Sequence, residues 1–220
     1  MTEWSILWDA REIFFNGLIA TLGLFSLSII CAFVLGCVLV YQLEDDSALS
    51  KALRLLINLM RTLPFLILAY LLYYGLPQLG LRLSAWTAGL LALIIYHAAY
   101  FAEILRGSRL IMPEGYVEAA KAHGFTPLRL YLRIVLPQLV IKTRPLLGNQ
   151  LIIALKDTAF LTIITVQELT AAANSVQSTY FIPTQAFVVV IALYWLISIC
   201  LELALKRAAR FGAKRGFDYV

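Results

Sequence analysis

Long apolar runs recur along this chain and constrain its fold more than any other feature. A bilayer core about 30 Å thick needs roughly 20 mostly apolar residues per spanning helix. Of the 220 residues, 61% are hydrophobic and only 14% are charged, whereas a soluble domain has roughly 25% charged residues. We therefore predict a single transmembrane domain over residues 1–220, an all-α integral membrane protein with about five transmembrane helices. The predicted spans are residues 13–41, 55–77, 85–105, 146–166 and 184–205.

Two of the five runs are interrupted by residues that do not suit lipid. The second contains Arg61 and Pro64, and the fourth contains Lys156 and Asp157. Charged and helix-breaking residues occur at membrane depth only where they face protein or a water-filled cavity. We therefore expect these parts of the two spans to be turned away from lipid.

Lysine and arginine are distributed unevenly between the connections. One set of connections holds nearly all of them, including the tail from Lys206 to Arg215, while the other set holds only Arg11 and Arg82. Cytoplasmic connections are enriched in these two residue types. We expect the amino terminus outside and the carboxyl terminus in the cytoplasm. Topology then explains the net charge of +5 without a nucleic-acid partner.

The longest connection, residues 106–145, has helical patterns and does not resemble a disordered linker. Glu114–His123 can form a helix that ends at Gly124, a residue type that favours a left-handed C-terminal conformation. Thr126-Pro127 suits the start of a second helix, which we expect to end at Pro137. Two short helices bent at a glycine would form a rigid projection on the cytoplasmic face, suited to binding a soluble partner.

The same connection resembles the EAA loop of the permease subunits of type I ABC importers, and we call residues 106–145 the EAA loop. The matching residues, at the spacing of that family, are Glu118, Ala119, Ala120, Gly124, Ile134, Leu136 and Pro137. These seven positions are the expected site of coupling to an ATPase.

Three further motifs resemble the polar amino acid permeases of the histidine, glutamate, glutamine, arginine and opine group. They are Arg61-Thr62-Leu63-Pro64, Ala102–Gly107, and Gly148-Asn149-Gln150 followed by Leu155–Thr158. The resemblance covers about residues 15–205. The chain lacks the glycine that usually follows the arginine of the first motif, and Ala159 replaces a frequent serine after the last. Both departures bear on substrate choice and leave the EAA loop unchanged.

The resemblance implies the type I ABC importer permease fold and transport by alternating access. Two permease subunits, identical or paralogous, enclose a path in the bacterial cytoplasmic (inner) membrane. Two ATPase subunits bind the EAA loops, and an extracytoplasmic binding protein delivers the amino acid. This chain has no glycine-rich phosphate loop, so ATP and Mg are expected on the ATPase. We expect no cofactor, no metal and no enzymatic activity of this chain by itself.

Polar residues within the spans are the candidate contacts along the substrate path. Glu103 has two interpretations, an ion pair with Arg61, Arg106 or Lys156, or a contact to the amino group of the substrate. Lys156 and the adjacent Asp157 diverge by about 100°, so one can face the path while the other braces the subunit. The full candidate set is Arg61, Thr62, Glu103, Asn149, Lys156, Asp157 and Thr158.

Several other polar residues have structural interpretations. Gln150 is expected to form a hydrogen bond between helices, and His97 to be a packing residue inside the membrane. His123 is expected to be exposed. The three cysteines lie in apolar runs without metal or redox spacing and are interpreted as small core residues.

Two other functions compete with the importer. A secondary transporter would use Glu103 and Asp157 as a proton relay, but such transporters usually contain an internal repeat, and none is evident here. A non-transporting membrane scaffold would leave the charges within the spans without a purpose.

Overall fold

The computed structural model of the protein describes residues 3–45 and 47–213, with side chains through residue 207, and all regular secondary structure in these residues is helical, without strands. The prediction of an all-α protein is therefore confirmed. Lys214 and Arg215 of the basic tail lie outside the described residues. The α-helices are α1 (Glu3–Asp9), α2 (Arg11–Gln42), α3 (Ala48–Thr62), α4 (Phe65–Tyr70), α5 (Ala85–Leu110), α6 (Gly115–Ala122), α7 (Pro127–Leu130), α8 (Leu136–Lys142), α9 (Arg144–Asp157), α10 (Leu169–Tyr180) and α11 (Pro183–Ala213).

Four stretches are long and apolar enough to cross a membrane as continuous helices. In chain order, the mean hydropathies of these four stretches, each taken over an 18-residue window, are 2.6, 1.7, 1.3 and 2.5. The pair Ala48–Thr62 and Phe65–Leu79, which is bent by 106°, brings the number to five when it is counted as one broken span. About five spans were predicted, and this number is confirmed. The four continuous stretches are Arg11–Gln42, Ala85–Leu110, Arg144–Ile164 and Pro183–Arg207.

The second span, predicted over residues 55–77 with interruptions at Arg61 and Pro64, is broken at the proline. Leu63, with φ −78° and ψ 140°, is extended, and α4 begins only after Pro64. A proline disfavours the helical conformation of the residue before it, and its own nitrogen cannot donate to a preceding turn. The break therefore follows directly from Pro64, one of the two interrupting residues identified in the sequence.

Two other prolines are accommodated inside helical segments. The π-helical turn Leu71–Gly75 is followed directly by Leu76-Pro77. The π-helical turn Tyr131–Val135 is followed directly by Leu136-Pro137. A proline ring clashes with the carbonyl four residues earlier in an α-helix, and a wider π turn relieves that clash. The predicted helix end at Pro137 is therefore wrong, because the helical path continues to Lys142.

The core is centred on the contact between α2 and α5, which approach closely at Gly36. A Cβ atom added to Gly36 would lie 2.9 Å from the Cβ of Phe101 and 3.2 Å from the nitrogen of Ala102. Helices in membranes associate through small residues that allow such close approach. Gly36 therefore sets the distance between the first and third spans.

Replacing Gly36 with valine should destabilise the protein, because overpacking a tight contact costs about 1–3 kcal/mol. Gly23 of the same helix is a matched control, since a Cβ there meets nothing within 4 Å. We expect Gly36→Val to lower the thermal stability and the yield of purified permease, while Gly23→Val leaves both near the wild-type values. Equal behaviour of the two variants would show that the α2–α5 contact is not close in the folded protein.

The last helix, α11, is the least buried of the predicted spans. Trp195 is 68% exposed and Ile191 is 67% exposed. Cys200 on this helix is also exposed, so its interpretation as a core residue is wrong for the isolated chain, whereas Cys37 is buried as expected. The outer face of α11 is therefore available to lipid or to another subunit.

Candidate functional site: a polar stripe on the third span

A stripe of half-buried polar groups runs along one face of α5. Tyr96, Tyr100 and Glu103 follow one another at helical spacing, so their side chains lie on the same side of the helix. Arg61, from the end of α3, and Asp157, from the end of α9, approach this face. We call these five residues the polar stripe. It starts near the middle of the span and ends at the basic end of α5.

Hydrogen bonds and ion pairs connect the lower part of the stripe. The Tyr96 and Tyr100 hydroxyl oxygens are 3.4 Å apart, and the Tyr100 hydroxyl donates to the carbonyl of Arg61 over 3.2 Å. The guanidinium of Arg61 lies 5.9 Å from the centre of the Tyr100 ring. The break at Leu63 and Pro64 places the end of α3 at this position, where Arg61 can contact α5.

Glu103 is held by two arginines, as the ion-pair interpretation expected. Arg106 donates from Nε to Oε2 over 2.8 Å and from Nη2 to Oε1 over 2.7 Å. Nη1 of Arg61 lies 3.3 Å from Oε1. Paired hydrogen bonds of this kind are among the strong ones, because both partners are charged and the geometry is matched. Lys156, the third partner considered, is exposed and is not part of this cluster.

Asp157 differs from Glu103 in having no cationic partner. It is the last residue of α9, and the chain continues from Thr158 as a 3₁₀ segment. Within residues 3–45 and 47–207, no lysine or arginine forms an ion pair with its carboxylate, which is 13% exposed. The adjacent Lys156 is exposed, as the predicted divergence of the two side chains requires. Asp157 is therefore an uncompensated carboxylate at a helix discontinuity.

His97 is the titratable neighbour of Asp157, with Nε2 of the imidazole 3.5 Å from Oδ2. It lies halfway along the 26 residues of α5 and is completely buried. Its Nδ1 is 2.9 Å from the amide nitrogen of Gln150, so Gln150 forms the hydrogen bond between helices that was expected of it. Sequence reasoning missed the proximity of His97 to Asp157, because it depends on how α5 and α9 pack.

Three further candidates, Thr62, Asn149 and Thr158, are not part of the polar stripe. Thr158 is buried, donates to the carbonyl of Leu155 over 2.6 Å, and lies 3.3 Å from the Tyr194 hydroxyl of α11. Thr62 is exposed and donates to a carbonyl of its own helix over 2.8 Å. Asn149 is exposed. Thr158 therefore contributes to helix packing, while Arg61, Glu103 and Asp157 are the candidates that the structure brings together.

A second buried acid, Glu168, was not identified from the sequence. Its carboxylate accepts hydrogen bonds of 2.8 Å from the backbone nitrogens of both Thr170 and Ala171, and one of 3.0 Å from the Tyr194 hydroxyl. The backbone nitrogen of Leu169 donates to Thr21 of α2 over 3.0 Å. An acidic residue directly before a helix is a known cap signal and could have revealed it. Glu168 therefore joins α10 to α11.

Gly124 has the predicted left-handed conformation, with φ +74°. The nitrogen of Gly124 donates to the carbonyl of Lys121 over 2.9 Å, and the nitrogen of Phe125 donates to the carbonyl of Ala120 over 3.1 Å. This pair of bonds is the Schellman arrangement that ends helices at a glycine. In the structure α6 begins at Gly115, one residue later than predicted.

The seven EAA positions differ in exposure. Glu118, Ala119, Gly124 and Pro137 are exposed, Ile134 and Leu136 are half-buried, and Ala120 is buried. His123 is exposed, as expected. The exposed positions include the acidic residue of the motif, so the surface of the EAA loop presents Glu118 to a partner.

Tyr131 anchors the EAA loop to the first span. Its hydroxyl donates to the carbonyl of Cys37 over 2.6 Å, and its ring centre lies 5.1 Å from that of Tyr41. Burial raises the pKa of Tyr131 above its ordinary value, so the hydroxyl keeps its proton and remains a donor. A second connection pairs Arg109 with Glu44, with Nε to Oε1 at 2.7 Å. These contacts attach the loop to α2 and to the residues that follow it.

Comparisons with known sequences agree with this arrangement. Residues 28–210 match the family described as binding-protein-dependent transport system inner membrane component. The chain is 31% identical over 203 residues to the probable glutamine ABC transporter permease protein GlnM of Bacillus subtilis, covering 92% of this chain and 94% of that protein. It is 28% identical over 211 residues to the glutamine transport system permease protein GlnP of Escherichia coli, covering 94% and 96%. The nopaline transport system permease protein NocM of Agrobacterium fabrum is 31% identical over 189 residues, covering 81% and 78%.

Solved structures show the same fold. A crystal structure of an amino acid ABC transporter with histidines superposes with a TM-score of 0.84 and 27% identity, covering 96% of this chain and 99% of that one. An inward-facing structure of the MetNI methionine ABC transporter superposes with a TM-score of 0.72 and, at 20% identity, supports the fold alone. The expected type I ABC importer permease fold is confirmed. The chain therefore belongs to the family of inner membrane components of binding-protein-dependent transport systems.

Proposed function

We propose that this chain is the permease subunit of an ATP-driven importer of polar amino acids, and that Asp157 contacts the amino group of the substrate. The observation that carries the proposal is the uncompensated carboxylate of Asp157 on the polar stripe. Relatives named for glutamine and nopaline transport, both polar amino acid derivatives, support the substrate class.

The electrostatics of the stripe favour a substrate with a positive charge. Opposite charges attract several-fold more strongly in a protein environment than in bulk water, because the effective dielectric constant is lower. Every free amino acid carries an ammonium group, which can supply the charge that Asp157 lacks. Arg61, lower on the stripe, has guanidinium donors for the carboxylate of the same molecule.

The transport cycle requires partners that this chain does not contain. Two permease subunits, identical or paralogous, would place two stripes around a common path. Two ATPase subunits, which hold ATP and Mg, would bind the EAA loops, and an extracytoplasmic binding protein would deliver the amino acid. ATP binding then turns the permeases outward and hydrolysis returns them inward. Tyr131 and Cys37 give the physical connection from the EAA loop to the first span.

The geometry at Glu103 argues against a secondary transporter with a proton relay. Both carboxylate oxygens of Glu103 accept hydrogen bonds from Arg106, and Arg61 adds further positive charge. These positive charges stabilise the ionised form of the Glu103 carboxylate. A relay from Asp157 would therefore end at a poor proton acceptor. The membership in an ABC importer family points the same way.

Substrate class can be tested by ATPase stimulation. The assembled complex, with its ATPase subunits and binding protein in proteoliposomes, should hydrolyse ATP faster when at least one polar amino acid of the glutamine, glutamate, arginine, histidine and opine group is added. Apolar amino acids and sugars are the comparison set. Stimulation confined to a sugar or to an apolar amino acid would contradict the proposal.

The orientation in the membrane is a separate proposal, supported by the distribution of lysine and arginine. In a background without the native cysteines, single cysteines at Gln78 and Ser178 should react with an impermeant label applied to intact cells. Cysteines at Lys51 and Lys214 should react only after the membrane is opened. Gln78, Ser178 and Lys51 are all exposed in the folded chain, so burial does not limit their labelling. Labelling of Lys214 from outside would overturn the five-span orientation.

A further inference from the structure

Gln150, His97 and Asp157 form a continuous chain of polar groups between the third and fourth spans. The imidazole of His97 is completely buried, with Gln150 at its Nδ1 and Asp157 at its Nε2. Gln150 is 4% exposed, so water does not compete for its amide. Nε2 lies 3.5 Å from the carboxylate oxygen of Asp157, longer than a well-formed hydrogen bond, and it has no hydrogen-bond partner among the described residues.

Both neighbours select the same form of the imidazole. The amide nitrogen of Gln150 can only donate, so Nδ1 must accept and carries no proton. The carboxylate of Asp157 can only accept when ionised, so Nε2 must carry the proton that faces it. The ring is therefore neutral, with a single N–H group directed at Asp157.

A neutral ring has a consequence for the substrate site. A doubly protonated imidazole would cancel the charge of Asp157, whereas the neutral form adds only a directed dipole. Aromatic rings on two sides restrict the orientation of His97, because the centres of Tyr96 and Phe65 lie 5.4 Å and 6.3 Å from its own. The N–H group thus has a fixed direction, and its dipole faces the carboxylate of Asp157 across 3.5 Å.

We propose that His97 is a positioning residue for Asp157, held in its Nε2-protonated form by Gln150. It orients the carboxylate toward the path and preserves its negative charge for the ammonium group of the substrate. This inference rests on the proposed function, since it assigns a role within the same substrate site. It predicts that the amide of Gln150 affects transport through the histidine and without contacting substrate.

The form of the imidazole can be read independently of transport. Ring nitrogen chemical shifts distinguish a protonated from an unprotonated nitrogen, and the signals of His97 in the ¹⁵N-labelled complex are those absent from the His97→Gln variant. We expect Nε2 to be protonated and Nδ1 to be unprotonated. Gln150→Leu removes the selecting donor and should give a mixture of the two neutral forms. A proton on Nδ1 in the wild-type complex would overturn the proposal.

Uptake kinetics give the second readout. His97→Leu removes the N–H dipole that faces Asp157 and should raise the KM for the transported amino acid about tenfold, which corresponds to about 1.4 kcal/mol. His97→Gln restores a donor at nearly the same reach and should return KM to within about threefold of the wild-type value. The maximal rate should change little in both variants, because ATPase coupling is unaffected.

The outcomes separate this inference from the proposed function. A raised KM in Asp157→Asn together with an unchanged KM in His97→Leu would overturn the role of His97 and leave the substrate site intact. Unchanged KM values in both variants would overturn the substrate site itself. If His97→Leu does not assemble, the shifts of the wild-type and Gln150→Leu complexes decide, because a purely structural histidine would keep one form when the amide is removed.

Discussion

Replacing Gly124 with valine should abolish amino acid uptake while the permease remains inserted in the membrane. Gly124 has φ +74°, where any residue with a Cβ pays a steric cost on the order of 1 kcal/mol and a branched one more. No neighbouring atom lies within 4 Å of the added Cβ position, so the cost arises from the backbone itself. We expect the chain to relieve it by rotating α6 against α7, which changes the surface presented to the ATPase.

The same loop offers a matched control for this prediction. Gly115 begins α6, is exposed, has an ordinary backbone conformation, and has no atom within 4 Å of an added Cβ. Gly115→Val should therefore transport nearly as well as the wild type. ATPase stimulation by the loaded binding protein should fall about tenfold or more in Gly124→Val, since each 1.4 kcal/mol of lost docking free energy is a factor of ten. Normal stimulation in Gly124→Val would show that the bend at Gly124 does not set the docking surface.

Charge at the same surface can be tested with Glu118. This residue is exposed on α6, so Glu118→Lys should leave the fold of the loop unchanged. We expect it to weaken ATPase docking by reversing the charge presented to the partner. Stimulation equal to that of the wild type would remove Glu118 from the docking surface, without bearing on the role of Gly124.

Asp157→Asn should raise the KM for uptake or abolish uptake, with the complex still assembled. The amide has the size of the carboxylate but no charge, so it removes the attraction for the ammonium group. Hydrogen bonds to charged groups contribute about 1.5–3 kcal/mol, which corresponds to roughly a tenfold to hundredfold rise in KM. Uptake of labelled substrate at several concentrations and gel filtration of the purified complex would measure the two effects separately.

Glu103→Gln is the informative comparison for Asp157→Asn. It removes the charge that Arg61 and Arg106 share, and leaves two half-buried guanidinium groups without their counter-ion. We therefore expect loss of assembled complex, in contrast to Asp157→Asn. Assembly of Glu103→Gln with altered substrate selectivity would instead place Glu103 on the substrate path. Loss of assembly in Asp157→Asn would favour a structural role for that residue.

The features predicted correctly from the sequence are those that local chemistry determines. Gly124 follows a short helical pattern, and a left-handed end at a glycine needs no information from the rest of the fold. The number of spans follows from the length of apolar runs, because the thickness of the bilayer is the same for every helix. The EAA residues were identified through their spacing within one loop, and their role in coupling stays a prediction.

The features that sequence reasoning missed depend on packing between distant segments. His97 and Asp157 are 60 positions apart, and only the contact of α5 with α9 brings them to 3.5 Å. Glu168 contacts Tyr194 of another helix, so its burial has no local signature beyond a cap. The continuation of the helix past Pro137 required a π turn, which hydrophobic periodicity does not indicate.

We propose that this chain moves amino acids only together with an ATPase. The most direct measurement is uptake of labelled polar amino acid into proteoliposomes that contain the permease and binding protein, with or without the ATPase subunits, and with ATP and Mg supplied to the nucleotide-binding side. We predict accumulation only when the ATPase subunits and ATP are both present. Accumulation driven by a proton gradient in the absence of the ATPase would contradict the account.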